Sequence, residues 1–120
     1  MSVAKGRDAE ALAAEFLQRE GFVVLWRNVR IGALEVDLVA KKDDLVVIVE
    51  VRSRGAGAFE KPLASITREK RRLLLRASRG IWRGRLKKMT DVMRVRIDVI
   101  ALGADGEIEW IKGAITEQDG

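Results

Sequence analysis

The chain has 120 residues, a size that suits one domain built around a single hydrophobic core. Its 48% hydrophobic and 34% charged residues make an ordinary globular composition. It contains no Cys and no His, which excludes disulfides, thiolate or imidazole metal sites, and catalysis by a His base. A metal ion bound to this chain would take oxygen ligands, as Mg²⁺, Mn²⁺ and Ca²⁺ do.

The positive charge is concentrated in one segment. The net charge is +5, but residues 52–96 hold 15 Lys or Arg against three Asp or Glu, a net +12, whereas both flanking segments are acidic. Such a block predicts a polyanion partner, and we expect nucleic acid, DNA in the first place. The alternative is a solvated helix rich in arginine.

Apolar runs are short throughout the sequence. None approaches the roughly 18 residues that a membrane-spanning helix needs, and the first residues lack the apolar core of a signal peptide. We therefore expect a cytoplasmic protein without a membrane partner. The oligomeric state stays open, with a homodimer through the edge of a sheet as one possibility.

The predicted elements alternate between helices and strands. Apolar residues at helical spacing predict a first helix over 7–20, and Thr67 is placed to cap a second helix with Glu69 in its first turn. Alternating or continuous apolar runs predict strands at 22–26, 33–40, 45–53, 92–102 and 107–112. The order is helix, three strands, helix, two strands, which predicts one α/β domain over 1–120 with a single sheet.

Charged residues interrupt two of these strands at a spacing of two. Glu35 and Asp37 fall on one face of their strand, and Glu50 and Arg52 fall on one face of the next. If the strands form a hairpin with Lys42 opposite Leu45, then Asp37 lies opposite Glu50. A longer turn would make the same side chains diagonal neighbours. Opposed carboxylates repel and need a metal ion, a shared proton or nearby cations; Arg52 neutralising an ion-pair network is the plain structural alternative.

Several short motifs resemble the small bacterial YraN-like family. The first, G-x-x-x-E-x-x-A…G-[YF], is matched by Gly6, Glu10, Ala13, Gly21 and Phe22. The second is NVRIGALEVDL (28–38), similar to N-x-R-x-x-x-G-E-I-D-L, and the third is VEVRSR (49–54), similar to V-E-V-K-x-R. Later motifs are matched by Thr67 with Lys70 and by RIDV (96–99). The resemblance covers nearly the whole chain. That family is assigned to the restriction-endonuclease-like, or PD-(D/E)xK, nuclease superfamily.

The resemblance implies a fold and a chemistry. The fold is a restriction-endonuclease-like αβββαβ core with one mixed central sheet flanked by helices. The activity is hydrolysis of phosphodiester bonds with Mg²⁺ or Mn²⁺, at a site like that of Holliday-junction resolvases. Asp37, Glu50 and the Val51 carbonyl would bind the metal, and Glu10 matches an acid that resolvase-like members add.

One departure bears directly on catalysis. Arg52 occupies the position where the signature has a lysine that orients or activates the attacking water. A guanidinium stays charged and cannot act as a base, although it can contact the scissile phosphate. The sequence thus leaves two readings: a metal-dependent endonuclease, and a nucleic-acid-binding module that keeps the nuclease fold without turnover. A protein-interaction subunit with an incidental charge pattern is a third.

Basic residues of the second helix are the expected phosphate contacts. The start of this helix and its exposed face would track a nucleic-acid backbone. The predicted contacts are Arg54, Arg68, Lys70, Arg71, Arg72, Arg76 and Arg79. By contrast, Arg96 and Asp98 alternate with apolar residues on the fourth strand, where we expect an ion pair that supports the sheet.

Overall fold

A computed structural model of the chain describes residues 7–53 and 61–120. The elements follow the predicted order of helix, three strands, helix and two strands. They are α1 (Arg7–Arg19), β1 (Val23–Ile31), β2 (Leu34–Lys42), β3 (Leu45–Ser53), α2 (Arg68–Gly84), β4 (Arg94–Leu102) and β5 (Ile108–Ile115), with short 3₁₀ turns at Pro62–Ser65, Leu86–Lys88 and Glu117–Asp119. Thr67 caps α2 as expected, because its side chain accepts a hydrogen bond from the Lys70 N–H at 3.1 Å.

The five strands form one mixed sheet in the order β1-β2-β3-β4-β5. β3 and β4 are parallel because α2 lies between them in sequence and returns the chain across the sheet, and the other neighbours are antiparallel. The predicted α/β class with a mixed central sheet flanked by helices is confirmed. The arrangement is compatible with a restriction-endonuclease-like αβββαβ core.

The hairpin between β2 and β3 has the register that pairs Lys42 with Leu45, and the ladder runs to Leu38 opposite Val49. Asp43 and Asp44 form the turn, and Asp43 adopts a left-handed φ of 55°, a conformation that aspartate tolerates in tight turns. Of the two registers considered, the one with the shorter turn is therefore correct.

Each face of the sheet carries its own apolar core. Helix α1 packs on one face through Ala13 and Leu17. Helix α2 packs on the other through Leu74, Ala77 and Ile81. Strands buried on both sides are nearly continuous apolar runs, which is why β3 reads LVVIV before its charged end.

The regular alternation predicted for β2 was wrong beyond Val36. Leu34 and Val36 pack in the core under α2, whereas Leu38 and Ala40 pack in the core under α1. The ladder between β1 and β2 passes from Arg27–Leu38 to Val29–Val36 without a pair at the residues between them. Both strands therefore change face at this step, which sets Asp37 outside the regular pleat.

Strand β1 is longer than the predicted 22–26. Its second half, Arg27–Ile31, is rich in polar residues, but it pairs with β2 up to Ile31 opposite Leu34. Asn28 interrupts it with a left-handed φ of 54°, which asparagine tolerates better than most residues. The continuation of β1 matters because it brings the Asn28 side chain beside the acids of α1 and β2.

Candidate metal centre and nucleic-acid interface

Three carboxylates from α1 and β2 converge at one place. Glu10, Glu35 and Asp37 each offer an oxygen, and these oxygens lie within 4.8 Å of one another. The Asn28 side-chain amide donates to Oε1 of Glu10 at 2.8 Å and to Oε1 of Glu35 at 3.4 Å. We call Glu10, Glu35 and Asp37 the acid cluster. It is the arrangement of hard oxygen donors that divalent cations such as Mg²⁺ and Mn²⁺ prefer.

The acid cluster forms because two packing constraints meet. Glu10 follows Ala9, a small residue buried in the contact between α1 and the sheet, so the first turns of α1 lie close to the strands. Asp37 sits where β2 changes face, and the β2–β3 ladder has its last pair at Leu38–Val49. Its carboxylate then takes the place of a backbone acceptor: Oδ2 accepts a hydrogen bond from the Val51 N–H at 2.7 Å.

The environment of Asp37 disfavours its charged form. Burial raises the pKa of Asp37 most, and the hydrogen bond from Val51 partly offsets it. The negative charges of Glu50 and Glu10 and a hydrogen bond with Glu10 raise the pKa further, to about 7 against an ordinary 3.8. A divalent cation would relieve this repulsion, so the donor set suits such an ion.

Glu50 lies next to the acid cluster but on the α2 side of β3. It is 3% exposed, and its Oε2 is 3.4 Å from Nη1 of Arg52 and 3.5 Å from Nζ of Lys70 at the start of α2. The expectation that Asp37 and Glu50 share a face was wrong. Asp37 contacts Glu10 of α1, whereas Glu50 follows Val46 and Ile48, which pack under α2.

Arg52 is held by the turn that precedes α2. Its Nη2 donates to the Ser65 carbonyl at 3.1 Å and to Ser65 Oγ at 3.2 Å. Ser65 Oγ in turn donates to the Pro62 carbonyl at 2.6 Å. Arg52 therefore bridges β3 and the Pro62–Ser65 turn.

Only some of the predicted metal ligands lie in the acid cluster. Glu10 and Asp37 belong to the acid cluster. In the portions of the chain that the structure describes, Glu50 is not a member of it, and the third member is Glu35. Val51 contacts Asp37 through its N–H; binding of a metal by its carbonyl stays a prediction, as do the metal-binding roles of the others. Arg54 lies outside the described residues.

The basic residues of α2 divide into three groups. Arg68, Arg72, Arg76 and Arg79 are exposed, and their spacing of three or four places them, with Arg83, along one side of the helix. We call these five residues the arginine stripe. Arg71 points elsewhere: its guanidinium donates to the carbonyls of Leu63 and Ile66 and pairs with Asp119, which favours a structural role. Lys70 faces Glu50. Nucleic-acid binding by these residues stays a prediction.

The sequence placed Glu35 on the charged face with Asp37 but did not make it a predicted ligand, and it did not assign Asn28 or Ser65 to the site. Glu35 was visible as an acid two positions before Asp37. Asn28 and Ser65 gave no comparable signal, since their contacts depend on the left-handed turn in β1 and on the path of the chain into α2.

The ion pair expected at the end of the sheet is confirmed. Arg96 binds Asp98 through two nitrogens, each at 2.8 Å. Asp98 is fully buried and also accepts hydrogen bonds from the Trp110 indole and the Gly113 N–H, each at 2.9 Å.

The fold and the acid cluster define an α/β protein with a mixed five-stranded sheet, a patch of hard oxygen donors between α1 and β2, and a basic helix on the other face of the sheet. Comparison of sequences gives its family. The chain belongs to the uncharacterised protein family UPF0102, whose model matches residues 9–102, so the resemblance to YraN-like proteins is confirmed.

Many relatives match along most of the chain. It is 35% identical over 115 residues to a UPF0102 protein of Sorangium cellulosum, a match that covers 92% of this chain and 80% of the relative. It is 38% identical over 115 residues to one of Nitrosomonas europaea, covering 94% of each, and 40% identical over 111 residues to one of Cupriavidus metallidurans, covering 92% and 79%. Among the helices within residues 7–53 and 61–120, none is long and apolar enough to cross a membrane.

Proposed function

We propose that this protein is a cytoplasmic, divalent-metal-dependent endonuclease that hydrolyses phosphodiester bonds in nucleic acid, DNA in particular, at a site like that of Holliday-junction resolvases. The observation that carries the proposal is the convergence of Glu10, Glu35 and Asp37 within 4.8 Å, beside a buried glutamate that contacts two cations. The family resemblance supports the same chemistry.

Mg²⁺ or Mn²⁺ would be held by the acid cluster, with Asp37 as its central ligand. Once bound, the ion supplies a lowered pKa for a coordinated water and charge neutralisation at the scissile phosphate. The chain's own contribution begins with geometry. The Val51 N–H holds Asp37 by one oxygen, and Asn28 donates to Glu10 and Glu35, so the carboxylates are positioned before an ion binds.

Lys70 fills the role that Arg52 cannot. Both contact the same oxygen of Glu50, but Arg52 is also bound to Ser65, whereas the ammonium of Lys70 can donate a hydrogen bond to a water. The signature lysine is missing from β3, yet α2 presents a lysine to the same carboxylate. In this proposal Lys70 orients the attacking water, Arg52 contacts the phosphate, and Glu50 positions both.

The arginine stripe supplies the binding surface. It starts at Arg68, one residue after the cap of α2 and two before Lys70, so a backbone lying on it would begin at the end of α2 where Lys70 contacts Glu50. Guanidiniums repeated at one-turn spacing along a helix suit contacts with successive phosphates, which carry no base sequence. The specificity proposed is therefore for the shape of the nucleic acid, with branched or single-stranded DNA as substrates.

A catalytically inert binding module is the second candidate. It is favoured by the engagement of Arg52 with Ser65 and Glu50, which resembles a structural tie more than a free catalytic group. The two candidates differ in turnover, and both require binding to nucleic acid.

Cleavage of fluorescently labelled branched, single-stranded and linear duplex DNA in Mg²⁺ or Mn²⁺ tests the proposal. The wild type should cut at least one substrate. The Asp37→Ala variant should cut none but should still bind DNA. Glu15→Gln, an exposed α1 residue, serves as the matched control and should behave as wild type. DNA binding without cutting by any protein in either metal would favour the inert module. No binding at all would overturn both candidates.

A further inference from the structure

A cleft opens between the second half of α2 and the sheet edge formed by β4 and β5. Its volume is about 510 Å³, within the range of small-ligand sites. Apolar side chains form most of its lining: Leu75 and Trp82 from α2, Val95 and Ile97 from β4, and Ile115 from β5. Trp82 and Val95 remain 37% and 36% exposed, so the cleft is open to solvent.

The mouth of the cleft carries positive charge. Arg79 and Arg83 line it and are also the last two members of the arginine stripe. Glu117 lies across the mouth and pairs with Arg79. Both partners of this pair are largely solvated, and a phosphate competes readily for a guanidinium in such a setting.

The arginine stripe extends along α2 from its first turn to the cleft. From Lys70, which contacts Glu50, to Trp82 the helix advances 12 residues, or about 18 Å at ~1.5 Å per residue. Exposed arginines recur along this length at Arg72, Arg76 and Arg79. A single strand following them would reach the cleft with its phosphates on guanidiniums and its bases free to turn inward.

We propose that the cleft binds one unpaired base of a nucleic-acid strand whose flanking phosphates lie on Arg79 and Arg83. A ligand with a ring that can pack on apolar side chains at one end and negative charge at the other complements this lining, and a nucleotide has both. Trp82 provides a ring against which a base can stack. This inference deepens the proposed function, because it names unpaired nucleotides as what the protein recognises, but it concerns binding and needs no cleavage.

The test separates the base from the backbone. Fluorescence anisotropy in EDTA would measure affinity for two labelled single strands of equal length, one with bases and one composed of abasic sites. Val95→Trp fills the cleft without changing charge, and Val23→Trp makes the same substitution on β1, where Val23 is 64% exposed. The wild type and Val23→Trp should bind the base-bearing strand roughly 5- to 150-fold more tightly, the equivalent of stacking one base. Val95→Trp should bind both strands equally.

The remaining outcomes separate base binding in the cleft from cleavage by the protein. Equal discrimination by Val95→Trp and wild type would overturn the inference while leaving the endonuclease proposal intact. Suppose that the wild type prefers the base-bearing strand and loses this preference in Val95→Trp, yet cuts no substrate. That result would support the inference, and the endonuclease proposal would fail. If the wild type does not bind single strands, the inference is wrong. It is also wrong if sedimentation shows a dimeric wild type and a monomeric Val95→Trp, because the cleft would then bind a second copy of the chain.

Discussion

The Val51 N–H donates a hydrogen bond to Oδ2 of Asp37 at 2.7 Å, just beyond the last pair of the β2–β3 ladder. The Asp37 carboxylate thus accepts a hydrogen bond that a backbone carbonyl would accept in a continuous ladder. This contact holds Asp37 in place, yet burial and the neighbouring acids still raise its pKa to about 7. The charged form of Asp37 therefore costs stability in the metal-free protein.

Asp37→Asn should stabilise the metal-free protein at pH 8. Because the pKa of Asp37 is raised from 3.8 to about 7, the folded state binds more protons than the unfolded state between these values, and the unfolding free energy falls as pH rises through them. Asparagine can still accept from Val51 but carries no charge. We expect a gain of about 2–4 kcal/mol at pH 8 and little gain below pH 4, measured by urea unfolding in EDTA. Glu15→Gln is the control and should keep the pH dependence of wild-type stability. If the stability of Asp37→Asn depends on pH in the same way, the prediction is wrong.

Glu35→Gln should weaken binding of Mn²⁺ and Mg²⁺. The Glu35 carboxylate is part of the acid cluster, and an amide is a poorer ligand for hard cations. At a metal concentration 100 times the dissociation constant, the wild type should gain about 2.7 kcal/mol of stability, seen as a rise in melting temperature. The variant should lose most of this rise at the same concentration. Glu15→Gln should keep it; an equal rise in all three proteins would rule Glu35 out as a ligand.

Lys70→Met should abolish cleavage, whereas Arg52→Lys should not. Loss of the group that orients the attacking water should cost about 10²- to 10⁴-fold in rate, and the ammonium of Lys70 is 3.5 Å from Glu50. Single-turnover rates measure the effect, with Lys112→Met as control because its ammonium lies over Trp110. If Arg52→Lys alone creates activity in an inactive wild type, the assignment to Lys70 is wrong and the natural protein is the inert module.

Neutralising the arginine stripe should lower the salt dependence of DNA binding. Each phosphate contact contributes about one unit to the slope of log K against log salt. Arg72→Gln and Arg76→Gln should therefore each reduce the slope by about one, as followed by anisotropy across a salt series. Arg19→Gln, at the end of α1, should leave it unchanged. Equal slopes in all four proteins would show that nucleic acid binds elsewhere.

Asp98→Ala should destabilise the fold strongly. Asp98 is fully buried and accepts four hydrogen bonds from Arg96, Trp110 and Gly113. Removing Asp98 leaves the Trp110 and Gly113 donors without their acceptor, at a cost of about 1–3 kcal/mol for each donor that stays buried, whereas Arg96 is 30% exposed and can be solvated. Chemical denaturation measures the loss. Asp44→Ala, which breaks the exposed pair with Arg94, should cost far less, and a similar loss in both would contradict the structural role of Asp98.

Much of the fold follows from patterns visible in the sequence. The strong 3.6-residue period and the Thr67 cap define α2, and the continuous apolar run defines β3. The hairpin register follows from a two-residue turn of aspartates. These features depend on local chemistry, which is why sequence reasoning finds them.

The composition of the site was harder to predict because it depends on an irregularity. The rule that alternate residues share a face fails at Asp37, where both β1 and β2 change sides. That single step moves Asp37 towards Glu10 and away from the face of Glu50. Likewise, the contact of Lys70 with Glu50 depends on the packing of α2 against the sheet, which the sequence pattern does not reveal.

The parallel pairing of β3 with β4 joins positions almost fifty residues apart in sequence, whereas β1, β2 and β3 pair through short hairpins. Chain entropy favours the hairpins first and the distant ladder last. Glu35 and Asp37 can therefore gather early during folding, while Lys70 reaches Glu50 only when α2 docks. Pulse-labelled hydrogen exchange during refolding should show β2 amides protected before those of β4, so the chain would acquire its negative centre before the cations that balance it.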